Sequence, residues 1–275
     1  MTQDIILQTQ CLTRDFNGFR AVDNVSLSVQ RGHIHAIIGP NGAGKTTFFN
    51  LLTNFIRPSS GKVFYEGMDI TARSPADIAN LGVVRSFQIS AVFPHLTLLQ
   101  NIRIALQKRA GSGLNFWQSN RILNQFNDQA MEILELVRLR DLHDRLAVEI
   151  AYGQKRALEL ATTIALDPKL VLLDEPTQGM GHEDVEHIME LVKEVAKDRT
   201  VVMVEHNMKV VAGISDQITV LARGKELASG SYEQVSRNEA VIEAYMGRKR
   251  KVAPSLQNGK EPPDTPPDNA DQSHV

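Results

Sequence analysis

The stretch Gly39-Pro40-Asn41-Gly42-Ala43-Gly44-Lys45-Thr46-Thr47 carries the clearest chemistry in the sequence. It matches G-x-x-x-x-G-K-[ST] at every fixed position. Glycines let the backbone curl so that successive N–H groups point at one anion. A helix beginning behind the loop adds partial positive charge at the same point. Lys45 is then expected to reach the outer phosphates of a nucleotide, and the Thr46 hydroxyl to hold Mg²⁺. The plain alternative is a glycine-rich turn that binds nothing. The context weighs against it: Ile34-His35-Ala36-Ile37-Ile38 reads as a buried strand before the loop, and Phe48-Phe49-Asn50-Leu51-Leu52 as a helix after it.

Three further groups have matching chemistry. Leu170-Val171-Leu172-Leu173-Asp174-Glu175 is an apolar strand ending in two acids. Strand ends in parallel sheets are where ligands sit. Asp174 is expected to hold Mg²⁺ through its water shell, and Glu175 to polarise a water for attack on the γ-phosphate. Val201-Val202-Met203-Val204-Glu205-His206 repeats the pattern, and places His206 where it can meet the γ-phosphate and that water. A lone histidine is more often structural, but this one stands just past a core strand. Gln88 follows the strand-like Val83-Val84-Arg85-Ser86-Phe87 and offers a carboxamide for Mg²⁺ and water without adding charge.

These groups need a scaffold. Val25-Ser26-Leu27-Ser28-Val29 alternates with period two, as a half-buried strand does. Gly61-Lys62-Val63-Phe64-Tyr65-Glu66-Gly67 is a short strand between glycines. From about 90 to 160 the pattern turns amphipathic, as in Ala130, Ile133, Leu134, Leu136 and Val137, which predicts a helical subdomain inserted into a sheet domain. Apolar strands return between 170 and 204 with a helix at about 183–197 between them, implying parallel strands and crossover helices. Residues 217–229 read as two strands joined at Arg223-Gly224-Lys225.

Composition sets the outer limits. The chain has 275 residues, 42% hydrophobic and 23% charged, with a net charge of −2, so bulk charge gives no reason to expect a nucleic-acid partner. Cys11 is the one cysteine and has no internal partner, which suits a reducing compartment. Met1-Thr2-Gln3-Asp4 lacks the features of a signal peptide, and no apolar stretch is long enough to span a bilayer. Any membrane role would come through a partner. Residues 248–275 open with Arg248-Lys249-Arg250-Lys251 and continue with polar residues and prolines, so a disordered tail is expected. Its basic run is either a solvated end or a contact for anionic lipid headgroups.

Residues 39–47, Gln88, Ala151-Tyr152-Gly153-Gln154, residues 170–175 and His206 together resemble, in order and spacing, the nucleotide-binding subunit of an ABC transporter. The resemblance extends to about Gly247. Within that family the chain is most similar to the ATP-binding subunits of branched-chain amino-acid importers and their amide and urea relatives. The marks are the loop continued by Phe48-Phe49-Asn50, Phe93-Pro94-His95-Leu96-Thr97, the Tyr-Gly-Gln form of the signature, and the ending Val241-Ile242-Glu243-Ala244-Tyr245-Met246-Gly247.

The resemblance implies an α/β P-loop NTPase domain over 1–247, with a mostly parallel sheet, an antiparallel β subdomain and the inserted α-helical subdomain. It implies ATP and Mg²⁺ as ligands, and hydrolysis coupled to solute import through separate permease subunits at the cytoplasmic face of the membrane. A solute-binding protein would take part indirectly. Phe16 would stack on the adenine, with Phe19 as the nearby alternative and a core role for both as the other reading. Two such domains, alike or different, would face head to tail, each ATP lying between one phosphate loop and the partner's signature helix. Here that helix would start near Gly153 and run through Ala157, Leu158, Leu160, Ala161 and Ile164. The surface around Ala91, Val92, Phe93 and Leu96 is expected to dock a short helix of the permease, the rival reading being core between the two subdomains. Two departures stand out: Ala151 replaces the signature serine, and Gln178-Gly179-Met180-Gly181 replaces a loop that ends in Asp. The rival readings are a soluble ABC ATPase without a membrane partner, the ATPase of a different ABC transporter such as a lipid exporter, and a module that binds ATP without hydrolysing it.

Overall fold

The computed structural model describes residues 4–86, 92–111 and 124–246. The opening strands β1 (Ile5–Phe16), β2 (Phe19–Val25) and β3 (Ser28–Gln30) lead into β4 (Ile34–Ile38), which ends at the glycine loop. Helix α1 (Lys45–Leu52) leaves the loop, and β5 (Ser60–Tyr65), β6 (Met68–Asp69), α2 (Pro75–Asn80) and β7 (Val83–Ser86) follow. Helices α3 (Leu98–Arg109), α4 (Asn127–Leu136) and α5 (Tyr152–Ala165) come next. Then β8 (Leu170–Asp174), α6 (His182–Ala196), β9 (Thr200–Val204) and α7 (Met208–Ile214) alternate. Strands β10 (Gln217–Ala222) and β11 (Lys225–Gly230) and helices α8 (Tyr232–Ser236) and α9 (Glu239–Met246) close the described chain.

The central sheet runs β11-β10-β4-β9-β8-β7. Its inner strands pair in parallel, and β11 is an antiparallel edge. Parallel strands are covered on both faces and need apolar residues at successive positions. Strands β4, β8 and β9 are buried throughout. Alternation still decides the direction. Val171, Leu173, Val201 and Met203 pack with the helices from α3 onward, whereas Leu170, Leu172, Val202 and Val204 pack with α1 and the smaller sheet. That smaller sheet runs β2-β1-β5-β6, with β3 also on β1.

The alternation from Val25 to Val29 predicts one strand, and the structure divides it. Val25 ends β2 opposite Leu12, while Ser28 and Val29 form β3 opposite Gln8 and Leu7. Register shifts along β1 let its two halves face different neighbours, and Asn24 takes a left-handed conformation (φ 57°) at the shift between the Val22 and Val25 pairings.

Helices α3, α4 and α5 bury one face each. Leu98, Ile102, Ala130, Leu134, Leu158 and Ala161 share one apolar cluster. Thr97 starts α3 with a reciprocal cap: its side chain accepts from Gln100 N–H while Gln100 accepts from Thr97 N–H. The polar tail lies outside the described residues.

Candidate nucleotide site

Register brings the chemistry together. Ile37 pairs with Val204, and Val204 with Asp174, on one line across β4, β9 and β8. The loop, His206 and Glu175 therefore all begin within two residues of that line, at the carboxyl ends of adjacent parallel strands.

The loop of residues 39–47 needs its glycines where it is crowded. Gly44 sits at φ 97° at the head of α1, and a Cβ there would run into the Ala21 carbonyl oxygen. A Cβ at Gly39 would strike the Leu221 carbonyl oxygen. Ala43 is buried and Pro40 half-buried; Asn41 and Gly42 are exposed. Ala43 N–H donates to the Pro40 carbonyl, and Gly224 N–H to the Ala43 carbonyl, tying the loop to the β10–β11 turn. Thr46 is exposed and Thr47 half-buried in the first turn of α1.

Lys45 is buried. Its Nζ donates to the carbonyl oxygens of Gly39 at 2.7 Å and Pro40 at 3.3 Å. Burial holds the ammonium below the usual lysine range, while Glu175 and Asp174 pull it back up.

Asp174 closes β8 with its side chain buried. Oδ2 accepts from Arg85 Nη2 at 2.6 Å, while Oδ1 is buried with no hydrogen-bond partner among the described residues. A buried carboxylate oxygen without a donor is costly unless a cation or water meets it. Mg²⁺ prefers oxygen ligands and keeps several waters, so this oxygen and the exposed Thr46 hydroxyl suit that ion. Gln88 lies outside the described residues.

Glu175 takes a left-handed conformation (φ 48°), rare for a residue with a side chain, and its N–H donates to the Val204 carbonyl at 2.9 Å. Such outliers persist where the surroundings over-determine them. Its Oε2 lies 3.7 Å from Nδ1 of His206, whose ring is half exposed.

Ala151 caps α5 without a side-chain bond, and its N–H donates to Gln154 Oε1 at 3.0 Å. Gly153 is buried against α6, where a Cβ would collide with the Asp184 carboxylate. The exposed Tyr152 donates from its hydroxyl to the Gln178 carbonyl at 3.2 Å. The signature is thereby joined to the loop that follows Glu175.

Phe16 and Phe19 pair across the β1–β2 hairpin and are 38% and 67% exposed, so neither is a core residue. The Arg14 guanidinium covers Phe16 at 4.6 Å from the ring centroid.

Sequence reasoning passed over Arg85, Asn50, Thr177 and Glu205. The available signal was charge inside apolar runs, Val83-Val84-Arg85 and Val201-Val202-Met203-Val204-Glu205. Arg85 bonds Asn50 of α1 as well as Asp174, and lies 5.2 Å from the Phe49 ring. Glu205 is fully buried and accepts hydrogen bonds from Thr177 and from His206 N–H.

Known proteins carry the same architecture. The ABC transporter family profile matches residues 22–178, and the profile of the branched-chain amino acid ATP-binding cassette transporters matches residues 225–250. The chain is 38% identical to the probable branched-chain amino acid transport ATP-binding protein LivG of Archaeoglobus fulgidus, over 88% of this chain and 95% of that protein. It is 36% identical to the high-affinity branched-chain amino acid transport ATP-binding protein LivG of Escherichia coli, over 88% of this chain and 98% of that protein. A crystal structure of the ADP conformation of an ABC-transporter ATP-binding cassette superposes with a TM-score of 0.77 at 30% identity, covering 88% of this chain and 99% of that one. This chain belongs to the ABC transporter family and is one of its ATP-hydrolysing cassettes.

Proposed function

We propose that the chain powers the import of branched-chain amino acids, or a related amino acid or amide, through separate membrane subunits. The observation that carries the mechanism is the meeting of Lys45, Asp174, Glu175 and His206 at the ends of β4, β8 and β9. The loop N–H groups and the α1 N-terminus bind the phosphates, and Lys45 exchanges its bonds to Gly39 and Pro40 for the outer phosphate oxygens. Thr46, Asp174 and Gln88 would hold Mg²⁺, which supplies charge neutralisation of the phosphate oxygens when bound. Glu175 accepts the proton of the attacking water, and His206 holds that water and the γ-phosphate in line. Phe16, steadied by Arg14, offers its ring to the adenine.

The site is completed in trans. Ala151, Tyr152, Gly153 and Gln154 head α5 and face the nucleotide held by a second ATP-binding subunit, identical or different. The exposure of Ala151 and Tyr152 supports this reading. No helix among the described residues is long and apolar enough to cross a membrane. Coupling to an integral permease would run through a docking surface on this chain. A groove of about 670 Å³ lies between α2 and β7 on one side and α3 and α5 on the other, with Phe55, Ile78, Phe93 and Ile104 among its lining. Asn101 is buried and binds the backbone of Phe93, Leu96 and Thr97, which holds one rim in shape. Val92 and Leu96 are half-buried and Phe93 is exposed; Ala91 lies outside the described residues. An apolar groove with a rigid rim suits an amphipathic helix of the permease.

The test is the assembled complex in vesicles. Cys11 is exposed, so Cys11→Ser gives a clean background for Val92→Cys. The reading expects a cross-link from position 92 to a permease cysteine and ATP-dependent uptake of labelled leucine, isoleucine or valine. Active complexes without any cross-link would overturn the docking face. ATP-driven uptake of a different solute class would overturn the substrate assignment.

A further inference from the structure

Glu205 is fully buried and precedes His206 at the end of β9. Its Oε1 accepts from Thr177 Oγ1 at 2.6 Å and from Thr177 N–H at 3.2 Å. Its Oε2 accepts from His206 N–H at 3.0 Å and Asn207 N–H at 3.1 Å. Thr177 is itself buried and stands two residues past Glu175. The bonds and one longer contact trace a ring. From Glu175 the chain runs through Pro176 to Thr177, crosses to Glu205, steps to His206, and returns to Glu175 across 3.7 Å. A backbone bond from Glu205 N–H to the Ile37 carbonyl anchors the ring to β4.

The chemistry selects a carboxylate. Three of the four donors are backbone N–H groups, which cannot reverse their role. An amide would present its NH₂ to at least one of them. Burying a carboxylate is expensive unless its oxygens are satisfied, and here each oxygen has two donors. The cost falls where the loop bearing Glu175 must keep its distance from His206.

We infer that Glu205 is a positioning residue for hydrolysis, fixing His206 and the loop after Glu175 relative to each other. It acts by setting His206 against the loop that bears Glu175, so its effect requires His206. This inference rests on the reading of Glu175 and His206 as the hydrolytic pair.

The test compares ATP turnover in the assembled complex for wild type, Glu205→Gln, His206→Ala and the double variant, with Mg·ATP affinity measured on each. Glu205→Gln should lower kcat by roughly 10- to 100-fold, the scale of a small misplacement of reacting groups. Its Mg·ATP affinity should stay within about twofold of wild type, because the phosphate loop keeps its own bonds. In the double variant the losses should not multiply: once His206 is an alanine, Glu205→Gln should cost no more than about threefold further. Fully multiplied losses would overturn the inference and leave the hydrolytic pair standing. A His206→Ala variant with wild-type kcat would overturn both. If Glu205→Gln fails to fold, Thr177→Val removes one donor at nearly constant volume. It should lower kcat, and Thr177→Ser should restore it; wild-type kcat in Thr177→Val would overturn the inference.

Discussion

Arg85 and Asp174 form an ion pair inside the protein, with Nη2 2.6 Å from Oδ2 and side chains only 9% and 2% exposed. The same guanidinium bonds Asn50 on α1. One side chain therefore joins β7, the helix behind the phosphate loop and the acid at the end of β8. It holds one Asp174 oxygen and leaves the other without a donor among the described residues.

Removing one partner of a buried pair strands the other. Arg85→Met should therefore lower the unfolding free energy by about 3 kcal/mol. Chemical denaturation without nucleotide measures this. A loss below about 0.5 kcal/mol, the scale of a surface pair, would mean that Asp174 finds other partners.

His35 supplies a pH dependence. It is fully buried on β4, with Nε2 2.9 Å from Thr219 Oγ1. Burial first, and the neighbouring His33 second, push its pKa from the usual 6.5 down to about 4. Below 6.5 the unfolded chain takes up this proton before the folded one does, so stability falls as pH drops from about 6.5 to about 4. The full loss from this group is about 3 kcal/mol. A His35→Gln variant should show a shallower decline of unfolding free energy over that window. An unchanged slope would assign the decline to other groups.

Much of the candidate site's geometry was legible because its residues stand next to the strands that place them. The glycine loop, the paired acids at the end of β8 and the histidine after β9 each adjoin an apolar strand, so a short window reveals both element and site. The roles of charges within or directly after apolar strands were not legible. Arg85 and Glu205 acquire meaning only when β7 meets β8 and when the loop after β8 meets β9, and those pairings join residues far apart in sequence. The division of Val25 from Val29 was hidden for a related reason: the two halves of β1 choose different partners.

Ala151 offers a test of the trans arrangement. It caps α5 with no hydroxyl to give. A hydrogen bond to a charged group is worth roughly 1.5–3 kcal/mol, and part of that is retained by the helix N-terminus and the Gly153 backbone. Ala151→Ser should raise turnover by about two- to tenfold, acting at the partner's site. Combining it with a Lys-to-Ala change in the partner subunit's phosphate loop should erase the gain. A gain that survives in that background would contradict the trans account.

Lys45→Ala removes the buried ammonium of the phosphate loop. Tight Mg·ATP binding should be lost, with a drop in affinity of at least about tenfold, since a hydrogen bond to a charged group is worth that much. Nucleotide titration reads it directly. Affinity within about twofold of wild type would remove Lys45 from the outer phosphates.

The account turns on Glu175 as the base. Glu175→Gln keeps the side chain's shape and takes away its basicity. Measured in the assembled complex under single-turnover conditions, the variant should bind ATP as wild type does and hydrolyse it about 10²–10⁴ times more slowly. The unhydrolysed ATP should remain bound and hold two cassettes together. Hydrolysis at near wild-type rate would contradict the account and move the base elsewhere in the site.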